Sequence, residues 1–182
     1  MLESERRNLA GGPMSARVDL SKLTLMDALD LASLIEVEAF QRYTHFAEAI
    51  GRRLTNDAGG FFTSMAINEK KHGDQLAERR RELFGNKPAR IRLEDIYDVE
   101  APDVGAPSWN MSELKACQVA LAAEKKAYAF YDAALPGVQQ EDVRTLFQEL
   151  RDEEAEHIQM VEAIIAKLPP SAAIDLENED AE

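Results

Sequence analysis

The apolar positions of this chain recur at intervals of three and four residues over four long segments, which is the period of amphipathic helices. The first segment covers residues 25–50, and Thr24 and Asp27 are spaced as a capping box at its start. The second covers residues 62–83 and follows a group of turn-forming residues at positions 56–60. The pattern therefore predicts two consecutive helices joined by a short turn.

Two further helices are predicted in the second half of the chain. The third covers residues 114–135, with Asn110 or Ser112 as its N-cap. The fourth covers residues 143–168 and follows the turn-forming pair Pro136-Gly137. Each of the four stripes is apolar except near its middle, where it carries carboxylate or imidazole side chains.

The connections between these helices predict how they pack. The first helix joins the second, and the third joins the fourth, through only a few residues, so each pair forms an antiparallel hairpin. About 25 residues at positions 85–110 link the hairpins, and an extended link of that length reaches about 80 Å, enough to follow a helix of ~42 Å. Two hairpins joined by one long crossover form an all-α, ferritin-like four-helix bundle. We expect this bundle at residues 23–169, between a loose leader at 1–22 and a disordered acidic tail at 170–182.

The charge balance of the chain narrows the classes of partner. There are 34 acidic and 21 basic residues, for a formal net charge of −13, and five of the acidic residues fall in the predicted tail. Nucleic acid is not an expected partner, because phosphate backbones are bound by clustered Lys and Arg, and the one basic run, at positions 79–81, is short. No stretch approaches the roughly 18 to 20 apolar residues of a membrane span, and no secretory hydrophobic region precedes the first helix, so we expect a cytoplasmic protein.

The residues available for metal chemistry are restricted by the single cysteine. Cys117 alone cannot supply a disulfide or the paired cysteine ligands of a rubredoxin or iron–sulfur centre, and it is most simply a small buried side chain. Any metal site must therefore use Glu, Asp and His. Six such residues interrupt the apolar stripes: Glu36, Glu69, His72, Glu124, Glu154 and His157. Each of the two histidines follows a glutamate by three residues, so each Glu-x-x-His pair projects from one helix face.

The positions of these residues along the helices are consistent with one site. Position 54 lies midway between Glu36 and His72, and position 140 lies close to midway between Glu124 and His157. Both midpoints coincide with predicted turns, so all four helices can present these side chains at one level of the core. The two halves of the chain also repeat this arrangement at a separation of 85 to 88 residues, which indicates an internal duplication.

The chemistry of the six residues favours metal ions. Four carboxylates buried together would repel one another and lose hydration, and such groups normally become neutral or bind cations. Two divalent ions would balance their charge. Oxygen-rich coordination with one imidazole per metal suits iron or manganese better than structural zinc. In this interpretation Glu69 and Glu154 bridge the two metals, and each metal takes one histidine and one of the remaining glutamates.

Other interpretations of these residues stay open at this point. The six polar side chains would form a structural layer if they were satisfied without metal. Tyr43 and Tyr131, each seven residues after a stripe glutamate, are either core aromatics or partners in a catalytic site that orient glutamate ligands through hydrogen bonds. Asn68 and Glu153, each just before a motif glutamate, either accept the second ring N–H of a ligand histidine or are solvated.

These motifs resemble those of ferritin-like di-iron carboxylate proteins, and they are most similar to the rubrerythrin and bacterioferritin branch. The resemblance covers about residues 24–168 and rests on Glu36-x6-Tyr43, Glu69-x-x-His72, Glu124-x6-Tyr131 and Glu154-x-x-His157. It implies two irons held at these positions that react with oxygen or hydrogen peroxide.

The sequence departs from that branch at three points. Rubrerythrins proper carry a C-terminal rubredoxin domain with four cysteines, whereas this chain has an acidic tail, so electrons would come from a separate protein. Rubrerythrins also have a further glutamate three residues after the third-helix ligand, where this chain has Ala127, which weakens the analogy to their iron movement and peroxidase efficiency. Bacterioferritins place a haem-ligating methionine directly after the second-helix glutamate, where this chain has Lys70, so no haem is expected.

The residues and the resemblance together predict an oxidoreductase whose di-iron(II) site is oxidised by hydrogen peroxide or oxygen. A second hypothesis is an iron capture, storage or delivery protein, in which the site only collects and oxidises iron. A third is a manganese catalase, which shares the ligand pattern. Bundles of two hairpins often self-associate, so we expect a homodimer.

Overall fold

The computed structural model describes residues 19–49, 57–92 and 111–174. Most of them belong to four long helices, α1 (Leu25–Ala49), α2 (Asp57–Phe84), α3 (Glu113–Ala134) and α4 (Glu141–Ile165). Helix α1 packs along α2, and α3 packs along α4 after a 3-10 turn at Leu135–Gly137. The prediction of an all-α, ferritin-like bundle is confirmed, and the described residues contain no strand.

Helix α1 begins with the predicted capping box. The backbone N–H of Asp27 donates to Thr24 Oγ1 at 3.3 Å, and the N–H of Thr24 donates to Asp27 Oδ2 at 3.1 Å. Arg90, beyond the end of α2, donates from Nε to the same Asp27 carboxylate at 2.9 Å. Arg80 of α2 donates from Nε to Asp30 of α1 at 2.7 Å. These contacts fix the start of α1 against the end of α2, as an antiparallel hairpin requires.

Helix α2 begins earlier than the sequence pattern predicts. It starts at Asp57 and includes Gly59 and Gly60, which the sequence analysis assigned to a turn, so that assignment was wrong. Glycine costs about 1 kcal/mol in a helix. This cost is offset by Phe62, which is fully buried and stacks on Phe46 of α1 with ring centroids 5.1 Å apart. Tertiary packing therefore extends the helix into a weak helix-forming sequence.

The end of α2 also differs from the predicted stripe. Gly85 ends the helix in the left-handed region, with φ of 59°, and its N–H donates to the carbonyl of Arg81 at 2.8 Å. Leu83, which the stripe placed in the core, is 54 % exposed, whereas Phe84 packs against the core. A strict three-and-four repeat drifts around a helix over several turns, so the position that faces α1 changes by one residue here.

Helix α3 is capped by Ser112, whose side chain accepts a hydrogen bond from the N–H of Lys115 at 3.3 Å. The alternative cap, Asn110, lies outside the described residues. Tyr128, within the third predicted helix, is only half-buried. The buried side of α3 includes four small side chains, Ala116, Ala120, Ala123 and Ala127.

The buried apolar side chains form two clusters along the bundle axis. One includes Leu29, Leu146 and Phe147 and lies toward the α3–α4 turn. The other includes Phe62 and Val161 and lies at the opposite end. Each helix carries a buried carboxylate between the two clusters, whereas Asp27 is buried at the start of α1. Among the helices in the described parts of the chain, none has the length and apolar character needed to cross a membrane.

The described part of the chain includes a short element beyond the predicted end of the bundle. A 3-10 helix at Pro170–Ala173 buries Ala172 and packs against α3. This helix lies within the segment predicted as a tail. The five acidic residues of that segment lie outside the described residues, as do residues 1–18 of the predicted leader.

Candidate metal centre

The structure brings all six predicted ligand residues to one level of the bundle, between the two apolar clusters. α1 and α3 contribute one glutamate each, and α2 and α4 each contribute one Glu-x-x-His pair. Five of the residues are at most 5 % exposed: Glu36, Glu69, Glu124, Glu154 and His157. His72 is the exception, with 18 % of its side chain exposed. The layer is therefore closed on the His157 side and reaches solvent on the His72 side.

His157 lies among carboxylates from three helices. Its Nδ1 is 3.2 Å from Glu69 Oε1, 3.4 Å from Glu124 Oε2 and 3.8 Å from Glu154 Oε2. Glu69 belongs to the first hairpin, so this contact joins the two halves of the bundle. The imidazole nitrogen thus occupies the centre of a buried, oxygen-rich pocket.

His72 has a more open surrounding of the same kind. Its Nδ1 lies 4.0 Å from Glu36 Oε2 and 4.0 Å from Glu153 Oε2. The rings of His72 and His157 stack with centroids 5.6 Å apart and planes inclined by 8°. The two Glu-x-x-His pairs therefore face each other across the bundle, as the internal repeat predicts.

The donor atoms fall into three overlapping sets whose members lie within 4.8 Å of one another. The sets are Glu124–Glu154–His157, Glu36–His72–Glu153 and Glu69–His72–His157. With metal–ligand bonds of about 2.1 Å, two ligands of one first-row ion are separated by about 3 to 4 Å. The separations between the Nδ1 atoms of the two histidines and the neighbouring carboxylate oxygens, 3.2 to 4.0 Å, fall in this range. The set of carboxylates and imidazoles fits two metal ions, one near each histidine, with Glu69 between them.

Electrostatics in the absence of metal show how strongly the site favours cations. Burial raises the pKa of Glu69 well above its ordinary value, and neighbouring carboxylates raise it further. Burial alone would lower the pKa of His157, but contacts with Glu124 and Glu154 and the charge of Glu69 outweigh it and raise that pKa to about 11. The site thus retains protons at neutral pH, which a metal ion must displace.

The two candidate tyrosines border the polar layer from opposite clusters. Tyr43 is fully buried, and its hydroxyl donates to Glu124 Oε1 at 2.6 Å, so it is both a core aromatic and a hydrogen-bond partner of a candidate ligand. Tyr131 is also fully buried, and its ring packs edge-on against Phe130 and Phe147 with centroids 5.2 and 5.4 Å away. The hydrogen bond that an orienting role requires is therefore present for Tyr43, and the role itself stays a prediction for both tyrosines.

The two residues that precede the motif glutamates differ in their surroundings. Asn68 is half-buried and, within the described parts of the chain, makes no hydrogen bond to either motif histidine. Glu153 belongs to one of the three donor sets, although its 4.0 Å separation from His72 is too long for a hydrogen bond. The sequence predicts Glu153 either as an acceptor for a ring N–H or as a solvated residue, and not as a metal ligand. The internal repeat has a carboxylate at position 153 and an amide at the equivalent position 68, and this difference is the sequence feature that distinguishes Glu153.

Cys117 takes no part in the candidate centre. The thiol is fully buried in the apolar cluster that contains Phe62, and burial, aided by the charge of Glu113, raises its pKa to about 12. It remains a neutral thiol at physiological pH. The interpretation of Cys117 as a small buried side chain agrees with this position.

Gly73 allows α2 to approach a candidate ligand on α1. A Cβ atom built at this position would lie 3.3 Å from Glu36 Cβ, closer than most contacts of this kind in proteins. By contrast, a Cβ at Gly60 would have nothing within 4 Å. The absence of a side chain at Gly73 therefore sets the distance between Glu36 and His72.

We expect Gly73→Ala to weaken metal binding several-fold while changing the metal-free free energy of unfolding by less than about 1 kcal/mol. The methyl group displaces Glu36 by a few tenths of an ångström, and the helix propensity of alanine, worth about 1 kcal/mol, offsets the crowding. Metal titration and urea denaturation measure the two effects. Gly60→Ala is the matched control and should leave metal affinity unchanged. Unaltered metal affinity in Gly73→Ala would contradict this role for the glycine.

Comparison with known proteins agrees with the fold. The rubrerythrin family profile matches residues 27–165, which include all six candidate ligands. The crystal structure of an uncharacterised conserved protein from Magnetospirillum magnetotacticum is similar, with a TM-score of 0.68 and 27% sequence identity over 81% of this chain and 97% of that chain. No curated protein matches the sequence significantly.

Proposed function

The chain belongs to the rubrerythrin family, and from that premise we propose that it is a di-iron oxidoreductase that oxidises ferrous iron with hydrogen peroxide or oxygen. The observation that carries the proposal is the buried ring of four glutamates and two histidine Nδ1 atoms between two apolar clusters. Two bound ferrous ions would supply two electrons, which together with two protons reduce one hydrogen peroxide to two molecules of water.

The residues of the chain support this chemistry in distinct ways. Glu69 shares a donor set with both histidines, which is the position that a bridging carboxylate requires. Tyr43 holds Glu124 by a 2.6 Å hydrogen bond and so fixes the orientation of that ligand. The apolar clusters on both sides exclude water from the ring, while the partly exposed His72 leaves one side accessible to a small oxidant. The protein thus combines a fixed ligand set with restricted solvent access.

Reaction of iron-loaded protein with an oxidant tests the proposal. Protein loaded with two Fe(II) per chain without oxygen is mixed with hydrogen peroxide or with oxygen, and the absorbance of the ferric product is followed. We expect rapid oxidation by at least one oxidant, with one hydrogen peroxide consumed per two irons. Bound Fe(II) that survives excess of both oxidants would contradict an oxidoreductase. We propose that a separate electron-donor protein regenerates the ferrous site.

Binding of Fe(II) should release protons and become tighter as the pH rises. In the metal-free protein the pKa of His157 is about 11 and that of Glu69 is raised, so both groups hold protons at pH values where the free side chains lose them. Metal binding displaces these protons, and each proton released increases the apparent affinity about tenfold per pH unit. Calorimetry between pH 6 and 8 in buffers of different ionisation enthalpy measures the number released. An affinity independent of pH over that interval would refute these pKa assignments.

A further inference from the structure

The two halves of the candidate centre are not equivalent. Around His157, three carboxylates lie within 3.8 Å of the ring nitrogen. Around His72, the carboxylates of Glu36 and Glu153 lie 4.0 Å from the corresponding nitrogen. The His72 half therefore has fewer close donors from the predicted ligand set, and the additional donor comes from a residue outside that set.

The internal repeat shows why the extra donor occurs on one side only. The position equivalent to Glu153 in the first half of the chain is Asn68, which precedes Glu69 as Glu153 precedes Glu154. The duplication would give a symmetric centre if these two positions carried the same side chain. Instead, the one carboxylate at this position lies beside the partly exposed His72.

We propose that Glu153 is a fifth carboxylate ligand, which binds the metal held by His72 and Glu36 on the open side of the centre. This inference rests on the proposed di-metal function and assigns a residue to it. Its basis is the juxtaposition of Glu36, His72 and Glu153, each of which offers one donor atom within 4.8 Å of the other two. Separations of 4.0 Å exceed a hydrogen bond but match two ligands of one ion with bonds of about 2.1 Å.

A cavity leads from the surface to this group of donors. It has a volume of about 140 Å³ and lies between α2 and α4, and its lining includes His72, Glu153, Glu149 and Arg79. Arg79 Nη1 lies 3.5 Å from Glu149 Oε2, so Glu149 is paired with a cation, whereas Glu153 faces His72. The Glu153 side chain is 43 % exposed, which allows it to turn from solvent onto a metal. The metal of the His72 half should therefore exchange with solvent through this cavity, faster than the metal beside the buried His157.

Anaerobic titration of wild-type and Glu153→Gln protein with Fe(II) tests this assignment. Glutamine keeps the size of the side chain and removes its charge. We expect one iron to bind as tightly as in the wild type and the other to bind about tenfold or more weakly, with correspondingly faster loss of one iron to a chelator. Glu149→Gln is the matched control, because Glu149 lines the same cavity, and it should leave both affinities unchanged.

The outcomes separate this inference from the proposed function. Wild-type binding of two irons with identical binding by Glu153→Gln would overturn the role of Glu153 and leave the di-metal function intact. Equal weakening by Glu149→Gln would show a general effect of surface charge and would also overturn it. If wild-type protein binds less than one iron per chain, the proposed function fails, and the assignment of Glu153 fails with it.

Discussion

Substitution of His157 by alanine is expected to reduce the iron bound by the protein from two per chain to at most one. His157 Nδ1 lies within 3.8 Å of Glu69, Glu124 and Glu154, so the variant loses the single nitrogen donor common to these carboxylates. The same change removes the positive charge that holds the carboxylates together without metal. Anaerobic Fe(II) titration with elemental analysis of the dialysed protein measures the loss.

His45→Ala provides the control for this experiment. His45 is the third histidine of the chain and lies on the exposed face of α1, so its removal should leave two irons per chain. A polar layer that is satisfied without metal would give the same metal content for both variants and the wild type. Equal metal content in His157→Ala and His45→Ala would therefore refute the ligand role of His157.

Substitution of Glu69 by glutamine is expected to change the free energy of unfolding in opposite directions with and without bound metal. In metal-free protein, Glu69→Gln should raise the free energy of unfolding by about 1–3 kcal/mol at pH 7 to 8, because it replaces a buried carboxyl among other carboxylates by a neutral isostere. In iron-loaded protein the order should reverse, because only the wild type gains stability from bound metal. Urea denaturation with and without a chelator measures both values.

The pH dependence of this difference follows from the raised pKa of Glu69. A carboxyl whose pKa is higher in the folded than in the unfolded protein favours folding at low pH, and this contribution is lost as the pH rises above the unfolded value of about 4.5. In metal-free protein, the difference in free energy of unfolding between Glu69→Gln and the wild type should therefore grow from pH 5 to pH 8 and nearly vanish at pH 4.5. Glu149→Gln, on the surface, should change stability by less than about 0.5 kcal/mol throughout. A metal-free Glu69→Gln protein less stable than wild type at pH 8 would contradict the account.

Much of the architecture could be predicted from the sequence because apolar residues recur at the spacing of a helix. Apolar stripes at helical spacing identified four helices, and equal distances from the turns placed Glu36 level with His72 and Glu124 level with His157. In the structure, these polar residues lie at one level between the two apolar clusters, as the equal distances predict. A polar residue on an otherwise apolar stripe is informative because its burial is costly without a partner.

The features that could not be predicted depend on contacts between helices. Helix α2 includes Gly60 because Phe62 packs against Phe46 of α1. The helix propensity of the local sequence carries no information about this contact. Sequence alone could not separate a packing role of Gly73 from mere tolerance of glycine, because the 3.3 Å approach to Glu36 exists only in the folded hairpin. Likewise, the internal repeat shows a carboxylate at position 153 opposite an amide at position 68, but only the folded bundle shows that Glu153 lies beside His72.

The most direct test of the account is anomalous diffraction at the iron edge from crystals of iron-loaded protein. We expect two anomalous peaks within the ring of Glu36, Glu69, His72, Glu124, Glu154 and His157, one beside each histidine. We also expect the peak beside His72 to lie within bonding distance of Glu153. Iron peaks confined to surface carboxylates, with none inside the ring, would contradict the claim that this bundle encloses a di-metal centre.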